Sequence, residues 1–111
     1  MPVRRVRRRY LRFRVASERR YRGQEVADAV QRGVLILYGI HGLSQIEPVL
    51  IEFDEDEQTG ILRCSHLHLR RMRASLAYIT SIGGSAASIH VVRVAGTIKA
   101  LRSSRTALKT L

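Results

Sequence analysis

Three groups of residues in this 111-residue chain carry side chains able to do chemistry. The first is Cys64-x-His66-x-His68, whose sulfur and imidazoles are the ligands zinc prefers. A closed zinc site takes about four such ligands, and only three cluster here, so no metal is expected. Cys64 is the single cysteine, which rules out a disulfide within the chain and suits a reducing, cytoplasmic setting. The second group is the acidic run Asp54-Glu55-Asp56-Glu57, which lacks the glycine and the oxygen spacing of a calcium loop and reads as a hairpin tip. The third is the arginines. His41 and His90 have no nucleophile partner in the sequence, and the glycine-rich segments lack the Lys-Ser/Thr of a phosphate loop. No catalytic residue is therefore assigned, and the chemistry left is that of the arginines, which is recognition.

Lysine and arginine number 20 against 9 acids, a net charge of +11. The excess is uneven. Residues 1–22 hold ten arginines and one acid, residues 23–62 hold one arginine and eight acids, and residues 63–111 hold nine bases and no acid. Two basic ends around an acidic middle point to a polyanion, nucleic acid first. Only Lys99 and Lys109 are lysines, and the planar guanidinium fork suits phosphate. The acidic middle and its apolar neighbours Ile40, Leu43 and Ile46 are the expected protein contacts, because acids repel RNA. No apolar run reaches the ~18 residues of a membrane span, and no apolar stretch follows the leading arginines as a secretory signal requires.

The elements that must position these residues follow from periodicity. Residues 1–9 form a basic arm, and residues 10–111 form one domain. Tyr10–Ser17 alternates as a half-buried strand. Gln24–Tyr38 has Val26, Val30, Val34 and Leu37 at helical spacing, with Gly39 as its cap and Gly39–Ser44 as a loop. Ile46–Phe53 is a strand with Val49, Ile51 and Phe53 on one face. Asp54–Gly60 turns into a strand at Ile61–Ser65. Leu67–Ile82 is a helix ended by Gly83–Gly84, Ala87–Ala95 a strand, and Thr97–Leu108 a basic helix with Ile98, Leu101 and Leu108 inward. This order, βαββαβ plus a C-terminal helix, predicts an α+β fold, a ferredoxin-like, RRM-like sandwich with the Tyr10 and Ile61 strands central.

Alternation then divides the strands. Leu11, Phe13, Val15, Leu62, Cys64, His90, Val92 and Val94 face the helices. Tyr10, Arg12, Arg14, Ile61, Arg63, Val91 and Arg93 face the other way. Four arginines from three strands would share one surface, which must meet water, acids or phosphate because an unpaired buried charge is costly. With Tyr10 its only aromatic, this sheet does not match the base-stacking surface of an RRM. Phosphate and shape recognition fit better, unless the C-terminal helix or a partner covers the face.

The runs Arg9-Tyr10-Leu11-x-Phe13-x-Val15-x-Ser17-Glu18, Gly60-Ile61-Leu62-Arg63-Cys64 through Arg73-Ala74-Ser75-Leu76-Ala77, and Val92-Arg93-Val94-Ala95-Gly96-Thr97-Ile98-Lys99 resemble, in order and spacing, the archaeal ribonuclease P protein component 2 family over residues 8–102. The resemblance implies a subunit of the ribonucleoprotein that removes the 5′ leader of precursor tRNA. It implies catalysis by the RNA subunit with its magnesium ions, and no cofactor on the protein. Ribonuclease P RNA, ribonuclease P protein component 3 and a second copy of the chain are the implied partners, with precursor tRNA reached through the holoenzyme. The candidate RNA contacts are Arg4, Arg5, Arg7, Arg8 and Arg9 in the arm; Tyr10, Arg12, Arg14, Arg63 and Arg93 on the sheet; and Arg70, Arg71, Arg73, Lys99 and Arg102 on the helices. The alternatives are another RNA-binding ferredoxin-like protein, such as a ribosomal subunit, and a basic protein-interaction module.

Overall fold

A computed structural model describes residues 7–102. The elements run β1 (Arg8–Ala16), α1 (Gly23–Ile46), β2 (Val49–Asp54), β3 (Thr59–Ser65), a 3-10 turn (His66–His68), α2 (Leu69–Tyr78), β4 (Ser81–Ile82), β5 (Ser85–Ala86) and β6 (Ser88–Ala95). β1, β2, β3 and β6 form one antiparallel sheet in the order β2-β3-β1-β6, so β1 and β3 are central, as predicted. Residues 98–102 are helical. No helix among the described residues is long and apolar enough to cross a membrane.

The main core lies between one sheet face and the two helices. Leu11, Phe13, Val15, Leu62 and Cys64 enter it from the strands, Val26, Val30 and Val34 from α1, and Met72 and Leu76 from α2. Gly60 sits under the stacked rings of Phe13 and Phe53, whose centroids are 6.0 Å apart. A Cβ at Gly60 would fall 2.6 Å from the Phe13 ring, so only glycine fits there without displacement.

The β2–β3 turn uses the acidic run structurally. Asp54 Oδ1 accepts the N–H groups of Asp56 and Glu57 at 3.0 and 3.1 Å. At the start of α1, Glu25 accepts the Arg22 N–H at 3.1 Å and pairs with the Arg19 guanidinium at 2.6 Å. That carboxylate satisfies a donor that the first helical turn leaves without an internal partner.

Several boundaries differ from those that periodicity predicts. β1 begins at Arg8, so Arg8 and Arg9 belong to a strand rather than to an arm. α1 does not end at Gly39; the chain kinks there (φ 71°, ψ −175°) and continues helical to Ile46. Gly39 breaks the regular path, but the apolar residues beyond it still pack against the domain, and tertiary burial rebuilds the helix. Ile46 consequently ends α1 and is fully buried, instead of opening β2. Leu37, expected inward, is more than a third exposed.

α2 stops at Tyr78. Gly83 and Gly84 do not terminate it; both have positive φ (57° and 83°) and make the two-residue turn of the β4–β5 hairpin. Paired positive φ angles suit such a turn because its twist matches that of the strands it joins.

Two register shifts change which residues face inward. In β2 the shift lies between Leu50 and Glu52, so Leu50 and Phe53 pack against the core in place of Val49, Ile51 and Phe53. In β6 the partners step from Arg93 opposite Arg12 to Val91 opposite Phe13, leaving Val92 as the extra residue. Ile89, Val91 and Val94 therefore face the helices, while His90 and Val92 are exposed. A bulge adds one residue to one strand, and a period-two pattern read through it changes sides.

Candidate nucleic-acid interface

Successive residues of β1 alternate faces, so Arg8, Tyr10, Arg12 and Arg14 share the face away from α1 and α2. Cross-strand pairing adds Arg63 beside Tyr10, Ile61 and Arg93 on either side of Arg12, and His90 beside Arg14. The expected four-arginine face thus exists, with Tyr10 and His90 in it. His90 escaped the periodicity because the β6 bulge reverses the strand; its ring Nε2 lies 2.9 Å from Ser88 Oγ. No local signal in SIHVVRVA marks the bulge.

This face is partly covered. Leu101 is 0% exposed and Ile61 3%, yet neither belongs to the core under α1 and α2. Arg102 reaches Glu52 of β2 at 2.5 Å. Glu52 pairs with Ile61 and so lies on the same side. Residues 98–102 therefore lie across the face, and Leu108 falls outside the described residues. Arg12, under this cover, is 8% exposed. Arg14 and Arg93 stay exposed, as does Lys99 on the covering segment.

The remaining candidates divide between surfaces. Arg4 and Arg5 lie outside the described residues. Arg7 is exposed, and its carbonyl accepts the His66 N–H at 3.0 Å. Arg9 sits opposite Cys64, on the helix side of the sheet. Arg70, Arg71 and Arg73 are exposed on α2, which packs against the other face. Arg71 already braces the two helices: its guanidinium lies 5.3 Å from the Tyr38 ring and donates to Gln45 Oε1 at 3.1 Å. The structure therefore presents two basic surfaces, one on the sheet and one on α2.

The other chemical groups are held in structural roles. Cys64 is fully buried, and burial pushes its thiol up to about 11 despite the opposing field of Arg9. It keeps its proton at neutral pH. His66 Nδ1 lies 3.2 Å from the Arg7 carbonyl. Of the three expected protein contacts, Ile40 is 80% exposed, and the neighbouring Leu35 and Ile36 are exposed with it. Leu43 is half-buried against the core, and Ile46, wholly inside it, offers no surface.

The chain is similar to known proteins over nearly its whole length. The model of the Rpp14/Pop5 family matches residues 9–105. Ribonuclease P protein component 2 of Pyrococcus furiosus is 39% identical over 101 residues, covering 91% of this chain and 84% of that protein. The proteins of the same name from Thermococcus gammatolerans and Methanosarcina mazei are 38% and 33% identical, over 91% and 89% of this chain and 84% of each relative. A chain in the cryo-EM structure of yeast ribonuclease MRP shares the fold, with a TM-score of 0.70 at 12% identity, over 99% of this chain and all of that one. With nearly its whole described length matched, the chain belongs to the Rpp14/Pop5 family.

Proposed function

We propose that this chain is a protein subunit of ribonuclease P, acting in removal of the 5′ leader from precursor tRNA by binding the RNA subunit without contributing a catalytic group. The observation that carries this reading is the coincidence of family membership with an arginine-bearing sheet face. A folded RNA crowds its phosphates. Cations placed at them replace condensed counterions, so binding weakens steeply with salt and less magnesium is needed to hold the RNA in its active shape. Exposed Arg14, Arg93 and Lys99 serve on the sheet side, and Arg70 and Arg73 on α2. Component 3 docks on the exposed apolar residues of α1 around Ile40, with Leu35 and Ile36.

Reconstitution tests the proposal. Added with component 3 to ribonuclease P RNA and precursor tRNA, the chain is expected to raise 5′-leader cleavage at low magnesium. No gain there overturns the reading. Replacing Arg14 and Arg93 by Ala is expected to flatten the salt dependence of RNA binding by roughly one unit of slope for each phosphate that is no longer neutralised.

A further inference from the structure

We propose that His90 is a proton-dependent RNA contact: as an imidazolium it joins Arg14 and Arg93 in holding phosphates on the uncovered part of the sheet face, so that RNA binding tightens as pH falls. The inference rests on the RNA-binding reading above and deepens it by naming a further contact residue and the regulation it brings.

The β6 bulge sets the placement. Across β1, His90 pairs with Arg14 and Arg93 with Arg12, and Val92 is the extra residue between them. Directly opposed residues of antiparallel strands share a face, so His90 and Arg93 stand on the side that carries Arg14. A regular β6 would set the two on opposite sides, because they are three residues apart. Bulges re-aim side chains in this way. Arg14, His90 and Arg93 are all exposed, although Arg12 between them is covered.

The ring is held ready to act as a cation. Nε2 lies 2.9 Å from Ser88 Oγ. An imidazolium donates from both nitrogens, so the Ser88 hydroxyl accepts one proton and Nδ1–H is left for a ligand. His90 has no ion pair among the described residues. The charged groups on its side are Arg14 from β1, Arg93 from β6, and Lys99 and Arg102 from the covering segment, the last paired with Glu52. α2 packs against the other side of β6. Asp54 shares the row of His90, but Thr59 and Arg14 stand between them. Its Oδ1 already accepts the Asp56 and Glu57 N–H groups. Three strand spacings put Asp54 roughly 14 Å away, beyond the screening length of physiological salt. Glu18 is exposed just past β1, four residues beyond Arg14.

The counterion for an imidazolium at this position therefore comes from outside, and an RNA phosphate among three exposed cationic groups supplies it. Histidine changes charge between about pH 5 and 8, so the contact strengthens with acidity. The coupling is reciprocal: the factor by which phosphate favours the proton is the factor by which the proton favours RNA.

Binding of the full chain to polyuridylate, whose base keeps its charge across this range, tests the proposal. From about pH 7.5 to about 5.5, native affinity at fixed salt is expected to rise by on the order of fivefold more than that of His90→Gln. At the lower pH the native salt slope is expected to exceed that of the variant by about 0.7, the increment for one further neutralised phosphate of a single strand. His41, His66 and His68 are present in both proteins, so their titration cancels in the difference. His90→Arg fixes the charge and is expected to bind more tightly than the native chain at about pH 7.5, again by on the order of fivefold. An equal pH response in the native chain and His90→Gln, or no gain at neutral pH from His90→Arg, overturns the proposal. So does a native chain that does not bind polyuridylate. The ribonuclease P reading is judged separately by leader cleavage, so either can fall without the other.

Discussion

On one face of the sheet, Leu11, Phe13 and Val15 lie under two helices; on the other, the residues between them, Tyr10, Arg12 and Arg14, lie partly under the helical residues 98–102. The same strand therefore supplies two interiors of different kinds. The helix side is sealed by many apolar side chains from separate elements, so removing one leaves a cavity the rest cannot fill. The opposite side holds two fully or nearly buried apolar residues, Ile61 and Leu101, among guanidinium groups. A closed apolar core and a partly covered, charged surface thus share one set of strands.

Four measurements can break or sharpen this contrast. The largest effect is expected from Phe13→Ala, which empties a fully buried site beside Phe53; urea denaturation should show a loss of about 3–5 kcal/mol. Leu101→Ala is expected to cost about 2 kcal/mol, the low end of the range for a buried leucine, because Leu101 lies outside the main core, where its surroundings can relax around the gap. A loss equal to that of Phe13→Ala would make the two faces equivalent.

The third measurement uses pH. An unfolded thiol ionises near its ordinary value of 9.0, whereas folded Cys64 holds its proton up to about 11. Across that window the unfolded state loses its proton first, so stability falls as pH rises; below 9.0 both states are protonated and this contribution is flat. The native protein should lose more stability than Cys64→Ala between pH 9.0 and about 11. Parallel pH profiles would mean that the core admits water at Cys64. The smallest effect is expected from Glu52→Gln, under ~1 kcal/mol by denaturation, because the ion pair with Arg102 is exposed. A loss of several kcal/mol would show this pair to be as firmly held as the core.

Legibility of the sequence follows the same divide. β1 and β3 alternate without interruption against each other, and their inward residues, from Leu11 to Cys64, are readable residue by residue. β6 is not, because Val92 is an extra residue and bulges carry no reliable side-chain mark. The sequence therefore shows Arg93 on the open face but hides His90. Periodicity makes α2 too long because Ile79 and Ile82 continue its apolar spacing; both are buried, but from the segment beyond the helix. The acidic neighbours of Ile46 suggest a surface residue, yet it is core because α1 continues past Gly39.

The amino-acid sequence by itself determined the order of the main elements, the central strands and the charge separation, because these follow from local periodicity and composition. The tertiary structure alone decided which arginines meet solvent. Arg12 and Arg14 are two residues apart on one strand and chemically identical, yet one is 8% exposed and the other is open. The difference is set by what the rest of the fold packs over each position rather than by the local sequence, which is the same strand for both.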